Sequence, residues 1–237
     1  MIDSPQLQSF LRHLDELRVR FIKCLLAFGL AAFACFYFAQ PILVWLIKPA
    51  GRLVFTSPAG GFAAVMTVTM VMALLVSLPV ILYQIWAFVA GALKPQERRF
   101  VFIFGPLSLL FFLSGVAFAF WVAVPTAYKF LMGFTSEDLV PMITVDNYLG
   151  FLGNMLVAFG VAFELPLILA FLAKIGIATP EFLRQKRRYA VLILLVLAAV
   201  LSPSPDVASQ LLLAVPLWIL YELGIVLMQV FHKRKTL

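Results

Sequence analysis

Charge is scarce in this chain: 12% of its 237 residues are Asp, Glu, Lys or Arg, against about 25% in an average soluble domain. Histidine occurs twice, at His13 and His232. Both lie near the chain ends, so no pair inside an apolar run can ligate a haem or a metal. Cysteine also occurs twice, as Cys24 and Cys35 in one apolar run. On one helix they lie about 16 Å apart along the axis, too far for a disulfide, and no disulfide or zinc framework is expected. HExxH, GxSxG, P-loop and GxGxxG patterns are all missing, which removes the enzyme classes that depend on them. No internal repeat or low-complexity tract is present, and no cofactor is expected.

Hydrophobicity fills the space. Apolar residues make up 64% of the chain and the mean hydropathy is +1.06, the balance of an integral membrane protein. The runs are long, aliphatic and Phe-rich, without the alternation of an outer-membrane barrel, so the expected fold class is all-α. We expect one polytopic domain over residues 1–237, with six transmembrane helices at about 24–47, 63–93, 100–128, 148–173, 189–202 and 207–231. The apolar part of the fifth, Tyr189 to Leu201, provides about 20 Å of helix against a core of about 30 Å. The fifth and sixth are therefore expected as short spans forming a shallow hairpin in thinned membrane.

The first 23 residues do not read as a cleavable signal, because the apolar run that follows is too long and lacks a cleavage site. Instead Leu7, Phe10, Leu11, Leu14, Leu17 and Phe21 fall at helical spacing, with Arg12, His13, Asp15, Glu16, Arg18 and Arg20 opposite. That pattern predicts an interfacial amphipathic helix leading into the first span. Basic residues set the orientation: with both termini inside, 15 of the 18 Lys and Arg fall in inner segments, so both ends are expected in the cytoplasm. The net charge of +7 is then mostly a topology signal, and no nucleic-acid partner is needed to explain it.

Four acids stand out. Glu164 lies in the middle of the apolar run Phe151 to Leu172, two residues before Pro166. An acid at that depth costs about 2.5 kcal/mol or more on insertion scales, so it needs a partner or a role. Pro166 removes a backbone donor beside it. Glu222, in the sixth span, is expected at similar depth on a parallel helix, with Tyr221 or Gln229 available to satisfy it. Glu164 and Glu222 together form a candidate intramembrane polar site. Glu16 and Glu97 are acids on a face dominated by Arg and Lys. Each carboxylate can take a guanidinium in a charge-assisted pair that an ammonium does not reproduce. Each also has an ordinary explanation, Glu16 as the i,i+4 partner of Arg12 and Arg20, Glu97 as an acid in the first turn of a helix.

Four blocks carry a family resemblance: HLDELRVR (His13 to Arg20), LPVILYQIWAFVAGALKPQERR (Leu78 to Arg99), FGVAFELPL (Phe159 to Leu167) and SPSPDVASQLLLAVPLWILYE (Ser202 to Glu222). In that order and spacing the sequence resembles the TatC family, the multispanning subunit of the twin-arginine protein translocase. Gly91 departs from the family pattern, which commonly has proline there, and SPSPD replaces Thr-Pro-Pro-Asp.

The resemblance implies a bacterial-type inner-membrane receptor that binds twin-arginine signal peptides of folded cargo proteins at the cytoplasmic face. Export would be driven by the proton motive force, and the protein would not be an enzyme. The implied partners are small single-span translocase subunits of the TatA/TatB type, the lipid bilayer and further copies of the chain. By motif position Glu16 and Glu97 would meet the arginine pair, with Arg18 and Arg98 beside them in the signal-peptide site. Glu164 would be the intramembrane acid, and Asp206 and Gln210 would lie at the external turn near a partner. The alternative is a proton-coupled secondary transporter using Glu164 and Glu222, which calls for inverted repeats that the sequence lacks.

Overall fold

The computed structural model describes residues 5–51, 53–133, 142–201 and 207–233. They form eight α-helices: α1 (Pro5–Ile47), α2 (Gly60–Ala92), α3 (Pro95–Phe118), α4 (Val124–Met132), α5 (Val145–Lys174), α6 (Pro180–Gln185), α7 (Arg187–Leu201) and α8 (Val207–Lys233). Four of these stretches are long and apolar enough to cross a membrane: α1, α2, the α3–α4 run and α5. The chain divides into two compact units, one of Met1–Gly51 with Ser57–Leu109, the other of Arg52–Thr56 with Leu110–Leu237.

In the first unit, α1 packs along α2. Its 43 residues extend about 64 Å, twice the hydrocarbon thickness, so the amphipathic beginning and the first span are one continuous helix. The buried positions of α1 include Ala31, Cys35 and Ala39, spaced by four. On α2, Ala64, Val68 and Ala73 are buried. Small side chains let two backbones approach closely where lipid leaves no hydrophobic drive for association. Large residues point the other way: Phe33 is 86% exposed and Tyr37 83%, as suits a lipid-facing surface. Both cysteines are free thiols. Helix α1 ends in a 3₁₀ turn, Lys48–Ala50, where Pro49 and the positive φ of Gly51 (77°) stop the helical ladder.

In the second unit, a π-helical turn, Ala119–Ala123, joins α3 to α4. Its cause is Pro125, which has no N–H to give the Trp121 carbonyl, so the ladder shifts register. Thr144 caps α5 by accepting the Asn147 N–H at 3.3 Å, and Thr179 caps α6 by accepting the Phe182 N–H at 3.2 Å. Val54 bonds to both sides of that first cap, donating to Ile143 O and accepting from Val145 N, each at 3.1 Å. Helix α5 is the centre of this unit and packs on α8 and on the π turn. Glycines set the distances: a methyl group at Gly160 would lie 2.5 Å from Phe112 Cζ, and one at Gly224 would lie 2.6 Å from Leu169 Cδ1 and 3.2 Å from Pro166 Cα.

Candidate functional site

Glu16 and Glu97 both belong to the first unit. The amphipathic part of α1 turns its polar side toward α2: Leu14, Leu17 and Phe21 are 45%, 47% and 61% exposed, while the Glu16 and Arg20 side chains are only 33% and 21% exposed. A soluble helix would be oriented the other way round, and a membrane surface explains the difference.

Arg20 anchors this polar side. Its Nε and Nη2 both donate to Glu16 Oε1, at 3.0 and 2.5 Å. Its Nη1 donates to Gln84 Oε1 at 3.2 Å, and Nη2 also reaches the Ala87 carbonyl at 3.3 Å. One guanidinium thus ties the acid on α1 to two points on α2. His13, one turn before, lies against the Phe88 ring at 5.0 Å between centroids. At the end of α2 a Cβ on Gly91 would sit 3.3 and 3.4 Å from the Glu16 oxygens. The glycine that departs from the family pattern therefore faces the carboxylate with a bare backbone.

The electrostatic result is an acid held in its charged form. The Arg20 hydrogen bonds, more than any other influence, hold the Glu16 carboxyl below its usual range, against a partial desolvation that opposes them. With Oε1 saturated by Arg20, Oε2 faces His13 Nδ1 at 3.8 Å, too long for a hydrogen bond. That oxygen keeps its capacity to accept from an incoming cation. Glu97 lies in the first turn of α3, and its side chain is outside the described residues. Arg18 is exposed, and Arg98 donates from Nε to the Leu93 carbonyl at 3.4 Å. Gln84 is 9% exposed. A polar side chain within an apolar run is the signal in the sequence for its part in this network.

The candidate intramembrane site lies in the second unit. Glu164 is buried on α5 at 9% exposure. One turn before it, Gly160 meets the Phe112 ring, and two residues after it Pro166 meets Gly224 of α8. Two close helix crossings therefore bracket the acid. Glu222 is engaged elsewhere: Arg187 Nη2 donates to its Oε2 at 2.6 Å, joining the start of α7 to α8. Tyr221, a possible partner of Glu222 by sequence, instead donates to the Leu183 carbonyl at 2.9 Å. Gln210 donates from Nε2 to the Leu195 carbonyl at 2.9 Å, bracing α7 against α8. Asp206 lies outside the described residues.

These features meet a known family. The model of the Sec-independent protein translocase protein TatC matches residues 12–216. The chain belongs to the TatC family. Among its relatives, TatC of Carboxydothermus hydrogenoformans is 38% identical over 229 residues, spanning 95% of this chain and 93% of the relative. TatC of Escherichia coli strain K12 is 37% identical over 225 residues, with 92% and 87% covered. A crystal structure of the twin-arginine translocase receptor TatC superposes with a TM-score of 0.83 at 36% identity, covering 92% of this chain and 99% of that one. The fold is accordingly that of a six-span, all-α membrane protein, and the chain is a multi-pass component of the Sec-independent translocase.

Proposed function

We propose that this chain is the receptor subunit that binds twin-arginine signal peptides of folded cargo proteins, with Glu16 and Glu97 as the acids that take the arginine pair. One observation carries the reading: Glu16 is held charged and oriented through one oxygen while the other retains acceptor capacity. A guanidinium can approach such a carboxylate with a planar, charge-assisted contact, and lysine cannot reproduce it. Arg18 and Arg98 carry the same charge as the signal and contribute as donors to the peptide's carbonyl oxygens. Asp206 and Gln210 are assigned by motif position to the external turn, near a partner subunit.

The basic-residue split supports an orientation with both termini, and with them Glu16 and the α2–α3 turn, on the cytoplasmic side of a bacterial-type inner membrane. The partners are small single-span translocase subunits and further copies of this chain. The family resemblance implies that export is driven by the proton motive force. Arg187 holds Glu222 in an ion pair at 2.6 Å that joins α7 to α8, a structural role that weighs against a proton-coupled transporter built on this acid.

The test is a titration of a twin-arginine peptide against the purified chain. Glu16→Lys and Glu97→Lys should each weaken binding by at least about 1.5–3 kcal/mol, the range for a hydrogen bond to a charged group. A twin-lysine peptide should also bind poorly. Unchanged affinity in both variants, at normal protein levels, would make the two acids ordinary helix-face and helix-end residues.

A further inference from the structure

A groove of about 490 Å³ runs between the second half of α2 and the beginning of α3, within the first unit. Tyr83, Trp86, Phe102 and Leu109 make its walls apolar, and Arg98 stands at one end. Gly105 keeps it open: a Cβ there would touch only Trp86 Cδ1, at 4.0 Å. From Arg98 to Leu109 on α3, and from Ala90 back to Pro79 on α2, the groove follows eleven residues of helix, about 16 Å. That equals one leaflet, half of the hydrocarbon core of about 30 Å. Its outer lips are lipid-facing residues, with Tyr83 67% and Phe102 80% exposed.

We propose that this groove binds an anionic phospholipid, with one acyl chain along the aromatic walls and the headgroup phosphate on Arg98. The Arg98 Nε bond to the Leu93 carbonyl fixes the base of the guanidinium at the helix end and leaves its terminal nitrogens as donors for a phosphate. The alternatives fit less well. A free anion has no use for a leaflet-deep apolar trough. Helices that associate within lipid favour small residues at the contact; Ala87, Ala90 and Gly105 line this groove too, but its exposed lips are Tyr83 and Phe102. Basic pockets between transmembrane helices are a known way of holding anionic headgroups. Arg98 is shared with the proposed signal-peptide site, and a lipid titration without peptide tests this reading apart from the receptor one.

The experiment uses full-length chain with Trp86 as its sole tryptophan (Trp45, Trp121 and Trp218 replaced by Phe), in phosphatidylcholine nanodiscs. Dibrominated phosphatidylglycerol and dibrominated phosphatidylcholine are then compared as quenchers of Trp86 fluorescence. The anionic lipid should reach half-quenching at a several-fold lower mole fraction than the zwitterionic one. Arg98→Gln should reduce that preference about fivefold, the worth of one basic residue at a membrane surface. Gly105→Leu fills the groove and should relieve quenching by both lipids, and Gly105→Ala, which fits the space without a clash, should relieve it in part. Equal quenching by the two lipids before any groove substitution, or a preference that survives Arg98→Gln, would overturn the proposal. Shielding of Trp86 that grows with protein concentration regardless of lipid charge would also overturn it, and would assign the groove to a second copy.

Discussion

Replacing Arg20 by alanine tests the proposed receptor site most directly, because this one side chain holds Glu16 to α2. The substitution removes two bonds to the Glu16 carboxylate and one each to Gln84 and the Ala87 carbonyl. A hydrogen bond to a charged group is worth about 1.5–3 kcal/mol when sheltered, and an exposed ion pair about 0–1 kcal/mol. Arg20 is 21% and Glu16 33% exposed, so the pair lies between these limits. Gln84 is buried and loses a donor, adding about 1 kcal/mol or more. A destabilisation of about 2–3 kcal/mol follows, with a larger proportional effect on peptide binding, since Glu16 loses its fixed orientation. Arg20→Lys should recover the charge but only part of the geometry, because an ammonium cannot serve three acceptors in a plane. The assay is a double-mutant cycle of Arg20→Ala with Glu16→Ala, read by thermal unfolding in detergent and by twin-arginine peptide titration. Coupling of about 1 kcal/mol or more is expected in both readouts. Simple additivity in both, or a peptide affinity that Arg20→Ala leaves unchanged, would refute the role of Arg20 as the residue that positions Glu16.

The glycine contacts give a graded series. Gly115→Ala drives a methyl group into the Phe159 carbonyl, and backbone cannot yield, so about 1–3 kcal/mol should be lost on thermal unfolding. Gly91→Ala meets only the movable end of Glu16 and should cost less stability while disturbing peptide affinity. Acid should weaken the first unit: the Glu16 carboxyl is lowered on folding, so its contribution is complete above the unfolded value of about 4.3 and is lost as pH falls through the folded one. The acid-induced change should therefore be smaller in Glu16→Gln than in the parent chain. Tags at either terminus should resist protease added from outside, and tags near Glu137 or Ser204 should be cut; an accessible amino terminus would reverse the orientation. Glu164→Gln should fold and assemble because the amide still forms hydrogen bonds, whereas Glu164→Leu should lose assembly or transport, and wild-type behaviour of the leucine variant would remove Glu164 from both roles.

The fold class was legible because lipid imposes one demand on every span: a long apolar run whose backbone satisfies itself. The same demand explains what was hidden. A helix that is apolar on all sides carries no mark of which side meets protein, so helix rotation, and every contact that depends on it, is absent from the hydropathy pattern. Glu222 shows this: Tyr221 and Gln229 are near it in the chain, yet the partner is Arg187, 35 residues away. The π turn left a local signal, Pro125 inside an otherwise continuous run. The close crossings at Gly160 and Gly224 did not announce their neighbours.

The candidate receptor site divides along the same line. The i,i+4 spacing of Glu16 and Arg20 could be read from the sequence, and by itself it described an ordinary helix-face pair. Its significance depends on residues 64 and 67 positions further on, Gln84 and Ala87, which complete the set of acceptors around the Arg20 guanidinium. A surface pair would leave both Glu16 oxygens free to exchange partners with water. Bonding to α2 instead fixes Arg20, which holds one oxygen of Glu16 and leaves the other beside the bare backbone of Gly91. Orientation of that kind lowers the entropy lost when a guanidinium docks. The local spacing therefore supplies the charge pair, and the packing of α1 on α2 gives it a direction.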